Sequence, residues 1–173
     1  SSTNSLCFGN RSETTAFEPG SGSTIMAYAG LCAPDDLQAD SDPYFHSASL
    51  EDIVLYTTGG GAGNVCAVQS PVAGTPPTVF VATNFVIPRD TPFALTANAF
   101  DADADPLTFC WEQMDAGPFL PLGAADNGIS ALFRSFPPAA SPGRTFPALP
   151  ALLYGTNSFA EVLPATERTL HFR

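Results

Sequence analysis

The residues able to do chemistry are few and unevenly placed. The run Ser23-Thr24-Ile25-Met26-Ala27-Tyr28-Ala29-Gly30 is uncharged and built around one thioether and one phenol. Pro19, Gly20 and Gly22 make its approach turn-rich, because Pro fixes φ and Gly permits positive φ. Taken alone, the same residues also suit a buried loop in which Met26 fills a gap in the core. The chain has two histidines, His46 and His171, and neither stands in an H-E-x-x-H frame. His46, beside Tyr44 and Phe45, reads as a packed or capping residue before it reads as a metal ligand. Asp35, Asp36, Asp40 and Asp42 lack the residue order of an EF-hand and read as carboxylates on a solvated loop. Asp101, Asp103 and Asp105 alternate, which suits either a calcium site or a polar hairpin turn. Glu112 and Asp115 have no surroundings that make them a catalytic pair. There is no G-x-S-x-G elbow, no C-x-x-C and no G-x-G-x-x-G after a strand. Gly59-Gly60-Gly61 follows a helical segment and lacks Gly-Lys-Ser/Thr, so it is not a phosphate loop.

The run Ser23-x-Ile25-Met26-x-Tyr28 resembles the Met-turn of metzincin zinc peptidases, in the form found in bacterial reprolysin-like members. Glu18-Pro-Gly-Ser-Gly before it, and Asp42-Pro-Tyr-Phe-His46 followed by a helix start after it, resemble that group in order and spacing. The resemblance implies that Met26 lies in a tight turn beneath zinc and that Tyr28 reaches the metal or the tetrahedral intermediate. It also implies that residues within 31–46 wall the pocket for the first residue past the scissile bond. The defining motif H-E-x-x-H-x-x-G-x-x-H is absent. In the family it lies upstream of the Met-turn. The expectation is therefore a fragment that begins after the zinc helix, without zinc ligands or general base, and inactive alone.

The totals limit the alternatives. With 6 Lys+Arg against 17 Asp+Glu, the net charge is −11. That argues against nucleic acid and against anionic membrane surfaces, since phosphate contacts need Lys and Arg. No apolar run nears the roughly 20 residues of a membrane span. Export from a bacterial cell is the expected setting, carried mostly by the resemblance, with a protein or peptide as substrate. Four cysteines allow three complete pairings. Cys7 and Cys32 flank the turn and are the favoured disulfide; two free thiols, or pairing to residues outside the chain, are the alternatives. Cys66 could likewise pair with a cysteine outside the chain.

The elements needed to position these residues follow the hydrophobic pattern. Residues 47–58 are the strongest helix, with Leu50, Ile53, Val54 and Thr57 on one face, Ser49 as the expected cap, Asp52 three residues on, and Gly59 at the end. Residues 67–78 read as a Pro-rich linker. From 79 the period changes to two. Phe93, Leu95, Ala97 and Ala99 alternate with Ala94, Thr96 and Asn98, and Leu107, Phe109 and Trp111 alternate with Thr108, Cys110 and Glu112. Strand, acidic turn and Trp-bearing strand resemble the Ig-like and PKD-like modules of bacterial secreted proteins, and Trp111 is then a core residue of a sandwich. Residues 115–166 read as a long Pro-rich insertion with one helical turn at 149–154, and 168–173 as the start of a further strand.

The expected fold is mixed α/β: a short metzincin C-terminal subdomain over 1–66, a linker over 67–78, and a truncated antiparallel β-sandwich module over 79–173. The function expected from the resemblance is that of part of a secreted zinc-dependent endopeptidase. A non-enzymatic exported adhesion or binding module is the second reading, and a hydrolase built on Glu112 and Asp115 the third.

Overall fold

The structure is a computed structural model that describes residues 5–59, 62–65, 68, 70–81, 84–155 and 160–173. Cys66, Gly60 and Gly61 lie outside the described residues. The chain is mixed α/β, with one three-stranded antiparallel sheet and two short α-helices. In order these are α1 (Ser47–Thr58), β1 (Thr78–Val81), β2 (Phe93–Phe100), β3 (Gly143–Phe146) and α2 (Leu149–Tyr154). β2 is central, pairing Val79 with Ala99 on one side and Leu95 with Arg144 on the other.

β2 follows its sequence pattern. Phe93, Leu95, Ala97 and Ala99 turn inward, while Ala94, Thr96 and Asn98 are exposed. That is the signature of a strand with one solvated face. β1 differs, since Val79, Phe80 and Val81 are all exposed.

The core gathers around Leu132, Phe133 and Phe146, with Phe93, Leu95, Trp111 and Phe172 packed against them. Ring centroids lie 5.0 Å apart for Phe93–Phe146, 5.1 Å for Phe133–Phe146 and 4.6 Å for Phe146–Phe172. Such aromatic packing adds to area burial through ring-to-ring electrostatics. Arg144 closes the cluster, its guanidinium 4.4 Å from the Phe146 ring centroid and 4.7 Å from that of Phe136. Burial pulls the Arg144 pKa down, against the opposing pull of Glu161, whose carboxylate lies 2.6 Å away.

Three expectations are corrected here. The stretch around Ala131–Phe136 is no peripheral insertion, because Ala131, Leu132 and Phe133 are the buried heart of the chain. No continuous strand forms over 107–111. Phe109 and Gln113 make isolated bridges to Ala139 and Phe172 instead. The reason is that Glu112 and Gln113, adjacent in sequence, are both buried, which breaks the alternation. Gln113 Oε1 accepts the backbone N–H groups of Leu132 (2.8 Å) and Phe133 (3.0 Å), so a polar side chain completes the backbone of the core segment. Residues 171–173 then pair with 112–114 through Glu112 N to Arg173 O (2.9 Å) and Met114 N to His171 O (2.8 Å). Trp111 is partly buried against the core cluster, its indole N–H donating to Pro142 O at 2.9 Å.

The third correction concerns α1. Its bounds are those the pattern predicts, and the Gly59 N–H closes it by donating to Leu55 O. The cap is His46, not Ser49: His46 Nδ1 accepts from Ala48 N at 3.2 Å. Glu51 and Asp52 therefore fall beyond the first turn. The apolar face is not buried either. Leu50, Ile53 and Val54 are exposed, and Ala48 is the buried residue of the helix.

Candidate functional site

The segment 18–30 has almost no regular structure, and side chains hold it in place of a ladder. Thr24–Ala27 is a tight turn closed by Ala27 N to Thr24 O at 3.0 Å, with Ile25 and Met26 at its corners. Its backbone is tied outward through Ile25 N to Tyr44 O (3.0 Å), Asp42 N to Ser23 O (2.7 Å) and Tyr28 N to Ser21 O (3.0 Å). The Glu18 carboxylate clasps its start. Oε1 accepts from Ser23 N (2.9 Å) and Thr24 N (3.3 Å), and Oε2 from the Thr24 hydroxyl (2.6 Å). Charge-assisted bonds of this kind are shorter and stronger than neutral ones. Gly22 has φ +71°, and a Cβ there would sit 2.7 Å from Ala27 Cβ and 3.0 Å from Glu18 Oε2, so the clasp closes only over glycine.

The result is a turn that presents its two distinctive side chains instead of burying them. Met26 is 65% exposed and Tyr28 39% exposed, so neither is a packed core residue. A small cavity of about 120 Å³ lies beside them, lined by Arg11, Phe17, Glu18, Met26, Tyr28 and His46 among others. Cys7 and Cys32 are disulfide-bonded, with Cα atoms 5.3 Å apart, and enclose the turn between them.

His46 is buried and stacked on Phe17, with ring centroids 5.6 Å apart. Its Nδ1 is occupied as the helix cap and lies 4.0 Å from Glu112 Oε2. His171 stands elsewhere, its Nδ1 2.6 Å from Asp115 Oδ1 in an exposed pair. Glu112 and Asp115 serve different partners, Ser135 and Ser47 for the first, Gln113 and His171 for the second. Among the described residues, no group of three or more His, Cys, Asp or Glu side chains could hold a metal ion. The described residues thus do not form a zinc donor set.

The acidic clusters serve backbone. Asp101 Oδ1 accepts from Asp103 N (2.8 Å) and Asp105 N (3.2 Å), and Asp103 Oδ2 accepts from Thr75 N (2.6 Å). These bonds build an Asx-type turn. Asp35, expected on a solvated loop, is buried; its Oδ1 accepts from Leu122 N at 3.2 Å. Asp36 Oδ1 accepts from Cys32 N at 2.8 Å.

A second polar cluster joins the turn region to residues 79–173. Glu112, 3% exposed, accepts from Ser47 N through Oε2 (2.6 Å) and from the Ser135 hydroxyl through Oε1 (2.5 Å). The Ser135 hydroxyl accepts in turn from Tyr44 OH at 2.8 Å. Burial is the main force raising the Tyr44 phenol pKa, and it pushes the nearby Cys110 thiol up to about 12, with Glu112 adding to it. Sequence reasoning singled out neither Glu18 nor Ser135. Glu18 carried one available signal, since a carboxylate five and six residues ahead of Ser and Thr can close a turn on their amides. Ser135 carried none.

Compared with protein-family models, curated proteins and solved structures, the chain has no match. No helix among the described residues is long and apolar enough to cross a membrane.

Proposed function

We propose that residues 1–66 are the C-terminal part of the catalytic domain of a secreted, reprolysin-like zinc endopeptidase. Residues 79–173 are an Ig-like or PKD-like module joined through 67–78. The observation that carries this reading is the turn Thr24–Ala27, which fixes its backbone through Glu18 while leaving Met26 and Tyr28 open. A loop that only filled space would bury both side chains. Zinc would supply Lewis acidity and an activated water, with its ligands and the general base outside these residues. Within the chain, Tyr28 offers a phenolic donor to the carbonyl oxygen as it gains charge, Met26 shapes the floor, and residues 31–46 wall the bound peptide. A donor held on a rigid, pre-bonded turn acts without reorganising, which is what stabilisation of a developing oxyanion requires.

The test is hydrolysis of casein or gelatin by the protein expressed from its complete coding region. The expected result is activity abolished by a chelator, absent from residues 1–173 alone, and lowered about 100-fold in kcat by Tyr28→Phe, the scale of a lost oxyanion donor. Lack of hydrolysis, or hydrolysis indifferent to chelator and to Tyr28→Phe, refutes the reading. The chain would then stand as a non-enzymatic exported binding module.

A further inference from the structure

The geometry points to Ser135, acting with Glu112, as a positioning residue that reaches out of residues 79–173 to set the Met26–Tyr28 turn and the entry to α1. The second part would then be built into the site, not hung beside it. For its catalytic meaning this rests on the reading above; for its structural meaning it does not.

Ser135 is 2% exposed and uses both capacities of its hydroxyl. It donates to Glu112 Oε1 (2.5 Å) and accepts from Tyr44 OH (2.8 Å), so the order Tyr44 to Ser135 to Glu112 has one direction. Its backbone carbonyl accepts from the Ser23 hydroxyl at 3.4 Å. Ser23 is also bound to Glu18, and Tyr44 O receives Ile25 N, at the first corner of the turn. One residue of the second part thus touches both sides of the frame that holds Met26 and Tyr28. Glu112 extends the frame to α1, where its Oε2 satisfies Ser47 N, one of the amide groups a helix start leaves unpaired. Further contacts run the same way: Gln38 Oε1 with Arg134 Nη2 (2.5 Å), Asp35 Oδ1 with Leu122 N (3.2 Å), and Arg11 with Gly117 O. Residues 70–77 between the two parts are exposed, and Thr75 N donates to Asp103 Oδ2, not to the turn region.

The experiment is amide hydrogen exchange on residues 1–173 with Ser135→Ala, alongside Tyr44→Phe, which removes one hydroxyl and keeps the ring. In both variants the amides of Ile25 and Ser47 should exchange about five- to tenfold faster, the effect of one lost buried hydrogen bond, with those of β2 unchanged. Unchanged exchange at Ile25 and Ser47 overturns the inference. So does uniform acceleration that includes β2, because that reports global stability alone. In the full-length protein, Ser135→Ala should lower kcat for a peptide about five- to tenfold by loosening the turn that carries Tyr28, change KM by less than about twofold, and relax the preference at the residue after the scissile bond. An unchanged kcat and preference overturns the positioning role. Absence of hydrolysis in the unsubstituted protein refutes the peptidase reading alone, and the exchange result then decides the rest.

Discussion

Two regions of this molecule are ordered by opposite means. Around Phe93, Phe133, Phe146 and Phe172, the side chains are set by rings packed against one another, and the hydrogen bonds there go to backbone. Around Glu18, Tyr44, Glu112 and Ser135, directional hydrogen bonds set every position and little apolar area is buried. The first kind of order is tolerant of direction and sensitive to volume. The second is tolerant of volume and sensitive to the loss of one atom. A site that must hold a turn open to solvent can use only the second, since apolar packing would draw Met26 and Tyr28 inward.

Substitutions should separate the two. The largest effect is expected from Phe146→Ala at the fully buried centre of the ring cluster, about 3–5 kcal/mol in denaturant unfolding from transfer and cavity terms together. Removing the Cys7–Cys32 bridge, which spans 25 residues, should cost about 3 kcal/mol by the same measurement. Its local effect should fall on the turn region and spare β2 in hydrogen exchange. If both substitutions loosened the turn and the sheet equally, the division into two regions would be mistaken.

Acid should also discriminate. Burial disfavours the charged form of Asp126, but bonds from Gly128 N, the Thr166 hydroxyl and Arg168 outweigh it and lower its pKa. A carboxyl whose folded pKa lies below its unfolded value of about 3.9 contributes stability that is fully present above that value and fades as pH falls through the folded one. Asp126→Asn should therefore flatten the fall in stability below pH of about 4, read by thermal unfolding across pH, while Phe146→Ala lowers the whole curve without changing its slope. The smallest effect belongs to α1. Leu50→Ser, on the exposed face, should stay within about 0.5 kcal/mol. A larger loss would mean that this face is covered in solution.

How much of this was legible in the sequence depended on whether a residue's task repeats. β2 was readable because one of its faces is solvated, so burial and period coincide. The bounds of α1 were readable from spacing and from Gly59. Its buried face was misread, because the i, i+3, i+4 pattern marks amphipathicity and does not say that anything lies opposite. Residues 131–133 read as insertion because an irregular segment has no period, yet they reach the centre of the core through Gln113, whose polarity spoke against burial. The candidate site divides the same way. Met26 and Tyr28 stood out by spacing. Glu18 acts on residues five and six positions ahead, a local signal that went unread, whereas Ser135 meets Ser23 112 residues away in sequence, and such a bond leaves no local pattern.

Cys110 has a practical side. It is the free cysteine among the described residues, and burial, with Glu112 nearby, pushes its thiol up to about 12, away from the reactive thiolate at neutral pH. Alkylating reagents and fluorescent maleimides should leave it untouched in the folded chain and modify it once the joint opens. Labelling at that sulfur, read on its own peptide so that Cys66 is counted apart, would thus act as a clock for opening of the contact between Tyr44, Glu112 and Ser135.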